Sequence, residues 1–455
     1  MELGSFHFFY VAAITFLIVF LLHSLLTKKR PRRRLRPGPA LALPFLGHHP
    51  FLKQPLHATL ARLAARHGPV FSLRLGSRPA VVVASAEVAR ECFSSELDAT
   101  LANRPRFPSL REVSFDYRAL TLASYGAHLR AARRVAVVHL LCARRVDLMS
   151  DAVVARELRA LVRRLARVAA GGAARVELKR RLFDLSHSVL MEAIVRSRNT
   201  YSDDGADMSR EPREMKDIAD AIVPLVGVAN LIASIQALFM FGIGWRNLLG
   251  AGTETTSTTT EWAMALLLNH PAVLKKAQEE IERHLGLSSE PSRLLDKKDL
   301  PHLPYLHCII SETLRLCPAA PLLLPHEAAA DCKLHGYDVA AGTIVLVNAY
   351  AIHRDPAAWG PAPEEFRPER LEHGSAEGKF MIPSGMGRRK CPGESLAMRT
   401  MGLVLGTLVQ CFDWTRVGDE EVDMAANSGT VMFKAVPLEA LCTPRAGMDT
   451  LLQKL

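Results

Sequence analysis

A glycine-rich loop that runs straight into an apolar helix constrains the fold of this chain more than any other stretch. Residues 383–394 read Pro-Ser-Gly-Met-Gly-Arg-Arg-Lys-Cys-Pro-Gly-Glu. The glycines and prolines favour an irregular loop, and the apolar residues 395–411 predict the helix that follows it. Proline is tolerated in a first helical turn, and Glu394 suits the positive end of the helix dipole. Cys391 therefore lies at a helix N-terminus directly after three cations, where the thiolate is favoured over the thiol.

A thiolate held in this way is either a nucleophile or a metal ligand. A nucleophilic cysteine needs a neighbouring base, and a structural zinc site needs further cysteines or histidines at short spacing. None of the eight cysteines forms a Cys-x-x-Cys pair, so a zinc site is disfavoured. An inert buried cysteine fits poorly beside three cations and two loop glycines. The cysteines are Cys92, Cys142, Cys308, Cys317, Cys332, Cys391, Cys411 and Cys442.

The spacing within this loop resembles the haem-ligand loop of the cytochrome P-450 monooxygenases. The shared residues are Gly387, Arg389, Cys391 and Gly393. The resemblance implies that Cys391 is the axial thiolate of a haem b iron and that Arg389 pairs with a haem propionate. The family usually has phenylalanine seven residues before the cysteine, where this chain has Ser384, so the aromatic shield of the thiolate is absent here.

A second motif precedes a strongly apolar helical stretch. Residues 250–256 read Gly-Ala-Gly-Thr-Glu-Thr-Thr, and because glycine and threonine are poor helix formers, propensity alone favours a loop. The apolar stretch 261–268 and the resemblance to the family's Ala-Gly-x-(Asp/Glu)-Thr signature argue instead for one long helix with a groove over the haem. The resemblance implies that Thr255 and Glu254 hydrogen-bond dioxygen and help to deliver protons.

A pair of motifs further along the chain resembles the structural scaffold of the family. Glu312 and Arg315 are separated by one helical turn, a spacing that by itself usually marks a surface ion pair. A Pro-Glu-Arg stretch at 368–370 completes the family pattern. The resemblance implies that Glu312, Arg315 and Arg370 form a buried network behind the haem loop, and such networks confer geometry more than stability.

Two basic positions resemble propionate ligands of the family. On the cationic helix predicted over 127–141, Arg133 matches the arginine of a Trp-x-x-x-Arg pattern, but Leu129 stands in place of the tryptophan. We expect one propionate contact to be missing for that reason. His326 matches a position where many members have an Arg or His ligand, although an isolated histidine is as often an ordinary residue. Residues 104–109 resemble the loop over the distal haem face in plant members related to isoflavone hydroxylases.

The N-terminal residues predict a membrane anchor. The apolar stretch 8–26 has 19 residues and would be about 28 Å long as a helix, close to the hydrocarbon thickness of a bilayer. Seven cations follow it within residues 28–36, whereas a cleaved signal peptide carries its charge before the apolar run. The positive-inside rule then places the rest of the chain in the cytosol. We expect a single-pass signal anchor over 1–27, a basic and proline-rich hinge over 28–39, and a monooxygenase domain over 40–455 on the endoplasmic reticulum membrane.

The charge balance removes the support for a nucleic-acid-binding role. The chain has 57 Lys and Arg against 46 Asp and Glu, a net charge of +11. Without the seven cations of the hinge, 50 remain against 46, so the bulk of the protein is close to neutral. A cytosolic body also agrees with eight cysteines that form no recognisable disulfide framework.

The region between residues 201 and 245 is short compared with the family. Its sequence predicts a polar loop over 201–205, a helix over 211–223 and an apolar patch over 238–241. The family has several long helices and a substrate-access loop here, so the chain is shortened by tens of residues. Either the roof over the substrate is reduced or the gene product is incomplete.

Proline and glycine positions and apolar periodicity predict the remaining elements. These are helices over 56–67, 147–168, 175–196, 271–285 and 306–317, and strands over 70–75, 80–84, 344–348 and 431–439.

The resemblance covers nearly the whole chain and implies a mainly α fold with small β sheets. It implies oxygen insertion into a small apolar substrate, by analogy of the flavonoid or other phenylpropanoid type. No Gly-x-Gly-x-x-Gly fingerprint follows a strand, so electrons are expected from NADPH through a separate flavoprotein reductase. The alternative is a catalytically impaired haem-binding relative. Ser384, Leu129 and the short region 201–245 favour this alternative. The intact motifs around Thr255 and Cys391 oppose it.

Overall fold

The computed structural model describes residues 15, 18, 19, 37–111, 114–195, 246–286, 293–374, 380–427 and 429–455. The elements predicted at 201–205, 211–223 and 238–241, and most of the predicted anchor, lie outside these residues. Within the described part of the chain, no helix is long and apolar enough to cross a membrane.

Most of the secondary structure in the described chain is helical. The helices are α1 Leu56–His67, α2 Ala86–Cys92, α3 Ala127–Val135, α4 Ala143–Met149, α5 Ala155–Val168, α6 Leu178–Val195, α7 Arg246–Asn269, α8 Pro271–Leu285, α9 Pro304–Leu316, α10 Ala349–Ile352, α11 Pro356–Trp359, α12 Glu394–Cys411 and α13 Asp449–Lys454. Short 3₁₀ turns cover His49–Phe51, Pro108–Leu110, Leu300–His302, Pro368–Gly374 and Gly387–Arg389, and π-helical segments cover Ala136–Leu140 and Ser150–Val154.

Small sheets flank the helices. Their strands are β1 Val70–Leu75, β2 Arg78–Val83, β3 Ala174–Glu177, β4 His326–Glu327, β5 Cys332–Leu334, β6 Tyr337–Val339, β7 Ile344–Val347, β8 Phe412–Thr415 and β9 Glu439–Pro444. The first sheet has the order β1-β2-β7-β4, in which β2 and β7 run parallel and the other neighbours antiparallel. The second has the antiparallel order β3-β9-β8, and β5 and β6 form an antiparallel pair.

The largest core lies among the helices α4 to α9 and α12. Trp262 of α7 is fully buried in it, and its indole N–H donates to the backbone oxygen of Met432 at 2.7 Å. Gly252, on the same helix, allows a close approach to α6, because a Cβ at this position would lie 2.6 Å from Leu190 Cδ1. The long helix that carries residues 250–256 is therefore fixed against α6 by close packing.

Helices with clear terminal signals begin and end where the sequence predicts. Helix α1 has the predicted bounds, with Gly68 following it. Helix α8 also has the predicted bounds, because Pro271 lies at its start and Gly286 follows with a left-handed φ of 67°. Residues 250–256 continue as regular helix within α7, so the interpretation as one long helix agrees with the structure.

The start of one predicted helix and the position of one predicted strand are wrong, and pairing with strands elsewhere in the chain explains both. The helix predicted from 175 begins only at Leu178, because residues 174–177 form β3 and pair with β9. The strand predicted over 431–439 lies instead at Glu439–Pro444, where both β3 and β8 supply partners. Local sequence carries no information about partners more than 250 residues away.

Candidate active site

The loop before α12 has a defined backbone shape. The amide of Cys391 donates to the oxygen of Ser384 at 2.9 Å, and the 3₁₀ turn Gly387–Arg389 lies between these two residues. Gly387 has a left-handed φ of 64°, which favours glycine. Helix α12 begins three residues after the cysteine, so Cys391 lies immediately before a helix N-terminus.

The environment of the Cys391 sulfur differs in part from the sequence expectation. Of the eight cysteines, this one alone is exposed by its accessible surface, although protein atoms also lie close around its sulfur. Protein atoms around the sulfur and the charge of Glu394 raise the pKa of the thiol, and amide hydrogen bonds from Gly393 and Glu394 and the charge of Arg133 offset this only in part. The pKa of Cys391 therefore lies above its ordinary value, so the expectation that these surroundings favour the thiolate is wrong for the protein alone. The cation that acts on the sulfur therefore comes from α3 and not from the three cations that precede the cysteine. A bound metal ion would reverse this balance, since metal-coordinated thiols are deprotonated.

Of the predicted propionate ligands, Arg389 belongs to this loop and Arg133 lies beside it. The guanidinium of Arg389 donates to the backbone oxygens of Ala102, at 2.6 Å, and Ala123. Arg133 donates to the backbone oxygen of Lys390. Both arginines thus bind carbonyl oxygens around the cysteine loop, and each keeps further N–H groups available.

A third arginine, Arg104, is 4% exposed and lies in the same cluster. Its guanidinium donates to the backbone oxygens of Leu324 at 2.7 Å, Pro325 at 2.8 Å and Thr121 at 3.2 Å. Burial and the nearby charge of Arg389 lower the pKa of Arg104 to about 9.

The predicted ligand His326 is buried next to these arginines. Its Nδ1 lies 2.8 Å from the backbone oxygen of Leu101. Burial, followed by the charges of Arg104 and Arg389, lowers the pKa of His326 to about 3, so the ring is neutral near pH 7. A neutral ring with Nδ1–H bound to a carbonyl leaves Nε2 as an acceptor.

The cluster Arg104, Arg133, Arg389 and His326 carries positive charge without an acidic partner. None of its arginines forms an ion pair with a carboxylate among the described residues. Burial and the charge of Arg133 lower the pKa of Arg389 to about 10. Partly buried cations that repel one another are stabilised by an anion. The cluster and the adjacent thiol therefore fit a group with two carboxylates and a thiolate-bound metal, as haem has.

The three residues predicted to form a scaffold network are in contact and buried. Glu312 binds Arg315 through both carboxylate oxygens, at 2.7 and 2.8 Å, and its Oε1 lies 2.8 Å from Arg370 Nε. Arg315 also donates to the backbone oxygens of His353 and Pro363. The pair Glu312–Arg315 is fully buried, so it is the interior network of the resemblance and not a surface ion pair.

The two predicted oxygen-activation residues lie next to each other on α7. Thr255 Oγ1 donates to the backbone oxygen of Ala251 at 2.7 Å, and Glu254 is 4% exposed. Ser257 and Thr259 make the same bond one turn back along the helix. Such bonds use up the hydroxyl hydrogen, so Thr255 Oγ1 keeps lone pairs that accept a hydrogen bond.

Sequence reasoning missed two residues at this site. The resemblance places Arg104 in a loop over the distal haem face and gives it no role, and its only sequence signal is its place before Pro105. Asp98 had no signal at all, yet its carboxylate contacts the cysteine loop. Of the two departures, Leu129 is buried and has no N–H to donate, and Ser384 provides the backbone oxygen that binds the Cys391 amide.

Comparison with known proteins identifies the family. The family model Cytochrome P450 matches residues 37–232 and 245–441. A Catharanthus roseus protein, Cytochrome P450 81Q32, is 39% identical over 95% of this chain and 96% of its own length. An isoflavone 2'-hydroxylase of Medicago truncatula is 37% identical over 95% and 97%. The (+)-piperitol/(+)-sesamin synthase of Sesamum radiatum is 35% identical over 97% of each chain.

The comparisons also bear on the fold and on the short middle region. A zebra fish cytochrome P450 structure with abiraterone has a TM-score of 0.71 and 25% identity, covering 86% of this chain and 99% of that one. The alignment with the Catharanthus protein spans 494 residues, more than the 455 of this chain, so that relative has segments without a counterpart here. The family match is interrupted at 233–244, within the region predicted to be short. The chain belongs to the cytochrome P450 family of monooxygenases.

Proposed function

We propose that the protein is a membrane-anchored haem-thiolate monooxygenase that hydroxylates a small apolar compound of the flavonoid or wider phenylpropanoid type. The observation that carries this proposal is the cluster of unpaired cations around an exposed cysteine, Cys391, at the start of α12. Relatives named as an isoflavone 2'-hydroxylase and a piperitol/sesamin synthase support the substrate class. The cofactor is haem b, and electrons come from NADPH through a separate flavoprotein reductase.

Residues of this chain would act on both faces of the haem: one group would bind the cofactor, and the other would position protons. Haem bound through Cys391 would supply the activation of O₂, for which a thiolate ligand is suited. Arg104, Arg133 and Arg389 would hold the propionates, whereas His326, whose Nδ1–H is bound to Leu101 O, would donate to a carboxylate only with its Nε2 protonated. The buried Glu312 network keeps the scaffold behind the cysteine loop in one geometry.

On the distal side, Thr255 and Glu254 of α7 would position and transfer protons. Thr255 Oγ1 donates to Ala251 O, so its lone pairs are free to accept from a water or another donor in the groove. Glu254 is the neighbouring acid. We assign to Thr255 the positioning of a proton donor and to Glu254 the renewal of that proton. Positioned proton transfer of this kind contributes about 10²–10⁴ in rate.

Turnover with labelled oxygen tests the function. The full chain is reconstituted in vesicles with an NADPH-dependent flavoprotein reductase and supplied with ¹⁸O₂ and a panel of isoflavones, flavones and lignans. The account predicts NADPH-dependent product that carries one ¹⁸O atom. If NADPH is consumed and only hydrogen peroxide forms with every compound, the monooxygenase proposal fails for these substrates. That result would favour the catalytically impaired haem-binding relative, which the departures Ser384 and Leu129 support.

Membrane attachment rests on the N-terminal sequence. We propose that the apolar stretch 8–26 anchors the protein in the endoplasmic reticulum, with the catalytic domain in the cytosol. A form lacking 1–27 keeps the basic hinge, whose cations contribute about 1 kcal/mol each near an anionic surface. It should leave the membrane fraction in high salt, whereas the full chain should resist alkaline carbonate. Retention of the shortened form in high salt would contradict the anchor as the sole membrane attachment.

A further inference from the structure

The segment 98–102 is far from the cysteine loop in sequence but forms hydrogen bonds with it. The carboxylate of Asp98 accepts from the amide of Arg388 with both oxygens, Oδ2 at 2.9 Å and Oδ1 at 3.2 Å. Arg388 Nε lies 3.7 Å from Oδ2. The Asp98 side chain is 12% exposed, against 43% for Arg388, so the contact lies at the protected end of the ion pair. Hydrogen bonds from a backbone amide to a charged acceptor are stronger than neutral ones.

The same carboxylate fits against the glycine that starts the turn. Gly387 has a φ of 64°, and a Cβ built on it would lie 2.4 Å from Asp98 Oδ1 and 2.7 Å from Cγ. The carboxylate therefore occupies the space that any side chain at position 387 would need. Asp98 therefore contacts the turn in two ways: it binds the amide of Arg388, and it fills the space beside Gly387. We call Gly387 and Asp98 a steric pair, because a side chain at 387 would collide with the carboxylate.

The segment that carries Asp98 is attached to the loop at a second point and is itself fixed. Arg389 Nε donates to Ala102 O at 2.6 Å, four residues after Asp98. On its other side, the oxygen of Thr100 accepts from Ala329 N at 2.8 Å, and the oxygen of Asn103 accepts from Glu327 N at 2.9 Å. The turn Gly387–Arg389 is thus bracketed by two contacts to a segment that the β4 region holds in place.

We propose that Asp98 is a positioning residue that fixes the turn Gly387–Arg389 and thereby the presentation of Cys391 to the haem iron. This inference rests on the proposed haem-thiolate function for its consequence. The contact itself exists in the protein independently of that function. Without the carboxylate, the amide of Arg388 loses its acceptor and the turn loses the group that fills the space beside Gly387.

The test measures the loop directly in the full-length protein. Hydrogen exchange by mass spectrometry is followed for a peptide over 385–391 and for a reference peptide from α8. The variants are Asp98→Ala, Asp98→Asn, and Glu96→Ala, an exposed acid two residues away, as the matched control. In Asp98→Ala we expect exchange of the loop peptide to accelerate roughly tenfold or more, as loss of a charged acceptor implies. Asp98→Asn keeps one acceptor oxygen and should show a smaller acceleration, and Glu96→Ala none.

Equal acceleration of the loop and α8 peptides would mean that Asp98 acts only through global stability, and would overturn the inference. So would an unchanged loop peptide in Asp98→Ala. Gly387→Ala provides a second readout, the fraction of the reduced CO complex with the thiolate-type Soret band. Gly387→Ala should reduce the thiolate-type band less in a chain that also carries Asp98→Ala. The reason is that the carboxylate that would collide with the new Cβ is then absent. Purely additive losses would contradict the steric pair.

The two proposals fail in different ways. If the parent protein shows no thiolate-type band, the haem proposal fails, and the exchange comparison still decides whether Asp98 fixes the loop. If the parent shows the band and the Asp98 variants exchange and bind CO as the parent does, only the role of Asp98 is lost.

Discussion

The Nε2 atom of His353 accepts a hydrogen bond at 2.9 Å from the backbone amide of Ile382, just before the cysteine loop. The backbone oxygen of the same histidine accepts from Arg315 Nη1 at 2.8 Å. His353 thus joins the buried network of Glu312 and Arg315 to the segment just before the cysteine loop. Because Nε2 is the acceptor, the ring is neutral with its proton on Nδ1.

This arrangement predicts a pH dependence of stability. Burial and the charges of Arg354 and Arg315 lower the pKa of His353 to about 3. In the unfolded chain the ring titrates near 6.5, so the unfolded state binds more protons below that pH and stability falls as pH decreases. His353→Gln should reduce this loss by up to about 1.4 kcal/mol per pH unit. Urea unfolding at pH 7 and pH 5 measures it, and a pH dependence equal to that of the parent in His353→Gln would contradict the prediction.

The scaffold network should be far more sensitive than a surface pair. Glu312→Gln leaves Arg315 and Arg370 buried without a counter-charge, which typically costs about 3–5 kcal/mol. The control is Glu279→Gln, whose partner Lys275 lies 4.0 Å away on the exposed face of α8, where the expected cost is below about 1 kcal/mol. Denaturant midpoints compare the two. A loss of similar size in both variants would contradict an energetically important interior network.

Close packing of α7 on α6 gives a steric prediction. In Gly252→Ala the new methyl group would meet Leu190 Cδ1 at 2.6 Å, and overpacking of this kind costs about 1–3 kcal/mol. Leu190→Ala in the same chain should restore part of the loss contributed by Gly252→Ala. Gly171→Ala is the control, because a Cβ there has no neighbour within 4 Å. Additive losses in the double variant would show that the contact does not limit the helix approach.

Thr255→Ala should uncouple NADPH oxidation from product formation. The variant loses the oxygen that positions a proton donor, so we expect product per NADPH to fall by about 10² or more while peroxide rises. Thr259→Ala removes the same type of bond to the helix backbone one turn later and should remain coupled. The test measures the yields of peroxide and of product per NADPH for both variants with the reconstituted reductase. A Thr255→Ala protein as tightly coupled as the parent would exclude this stretch of α7 from oxygen activation.

Local signals in the sequence were sufficient for much of the fold. Proline before or at a helix start and glycine after its end located α1 and α8, and apolar periodicity located strands β1 and β2. The pairing of strands far apart in the chain could not be predicted from local sequence. The positions of the edge strand β3 and the central strand β9 depend on each other across the chain, and the side chains alone favour a helix at 175.

The candidate site divides in the same way. Motif spacing was enough to select Cys391, Arg389, Arg133 and His326, which the structure brings together, and their haem-binding roles stay predictions. Asp98 and His353 could not be selected, because Asp98 binds a backbone amide of the cysteine loop and His353 binds one just before it, and contacts to backbone amides leave no sequence pattern.

The reduced CO difference spectrum of the full chain and of Cys391→Ser tests the central claim most directly. The account predicts a thiolate-type Soret band for the parent, because Cys391 is the exposed cysteine beside the unpaired cations. It predicts loss of that band in Cys391→Ser, with the variant still in the membrane fraction. Cys332→Ser, which changes another cysteine that is not fully buried, should keep the band. A thiolate-type band that persists in Cys391→Ser would show that another residue holds the iron and would contradict the account.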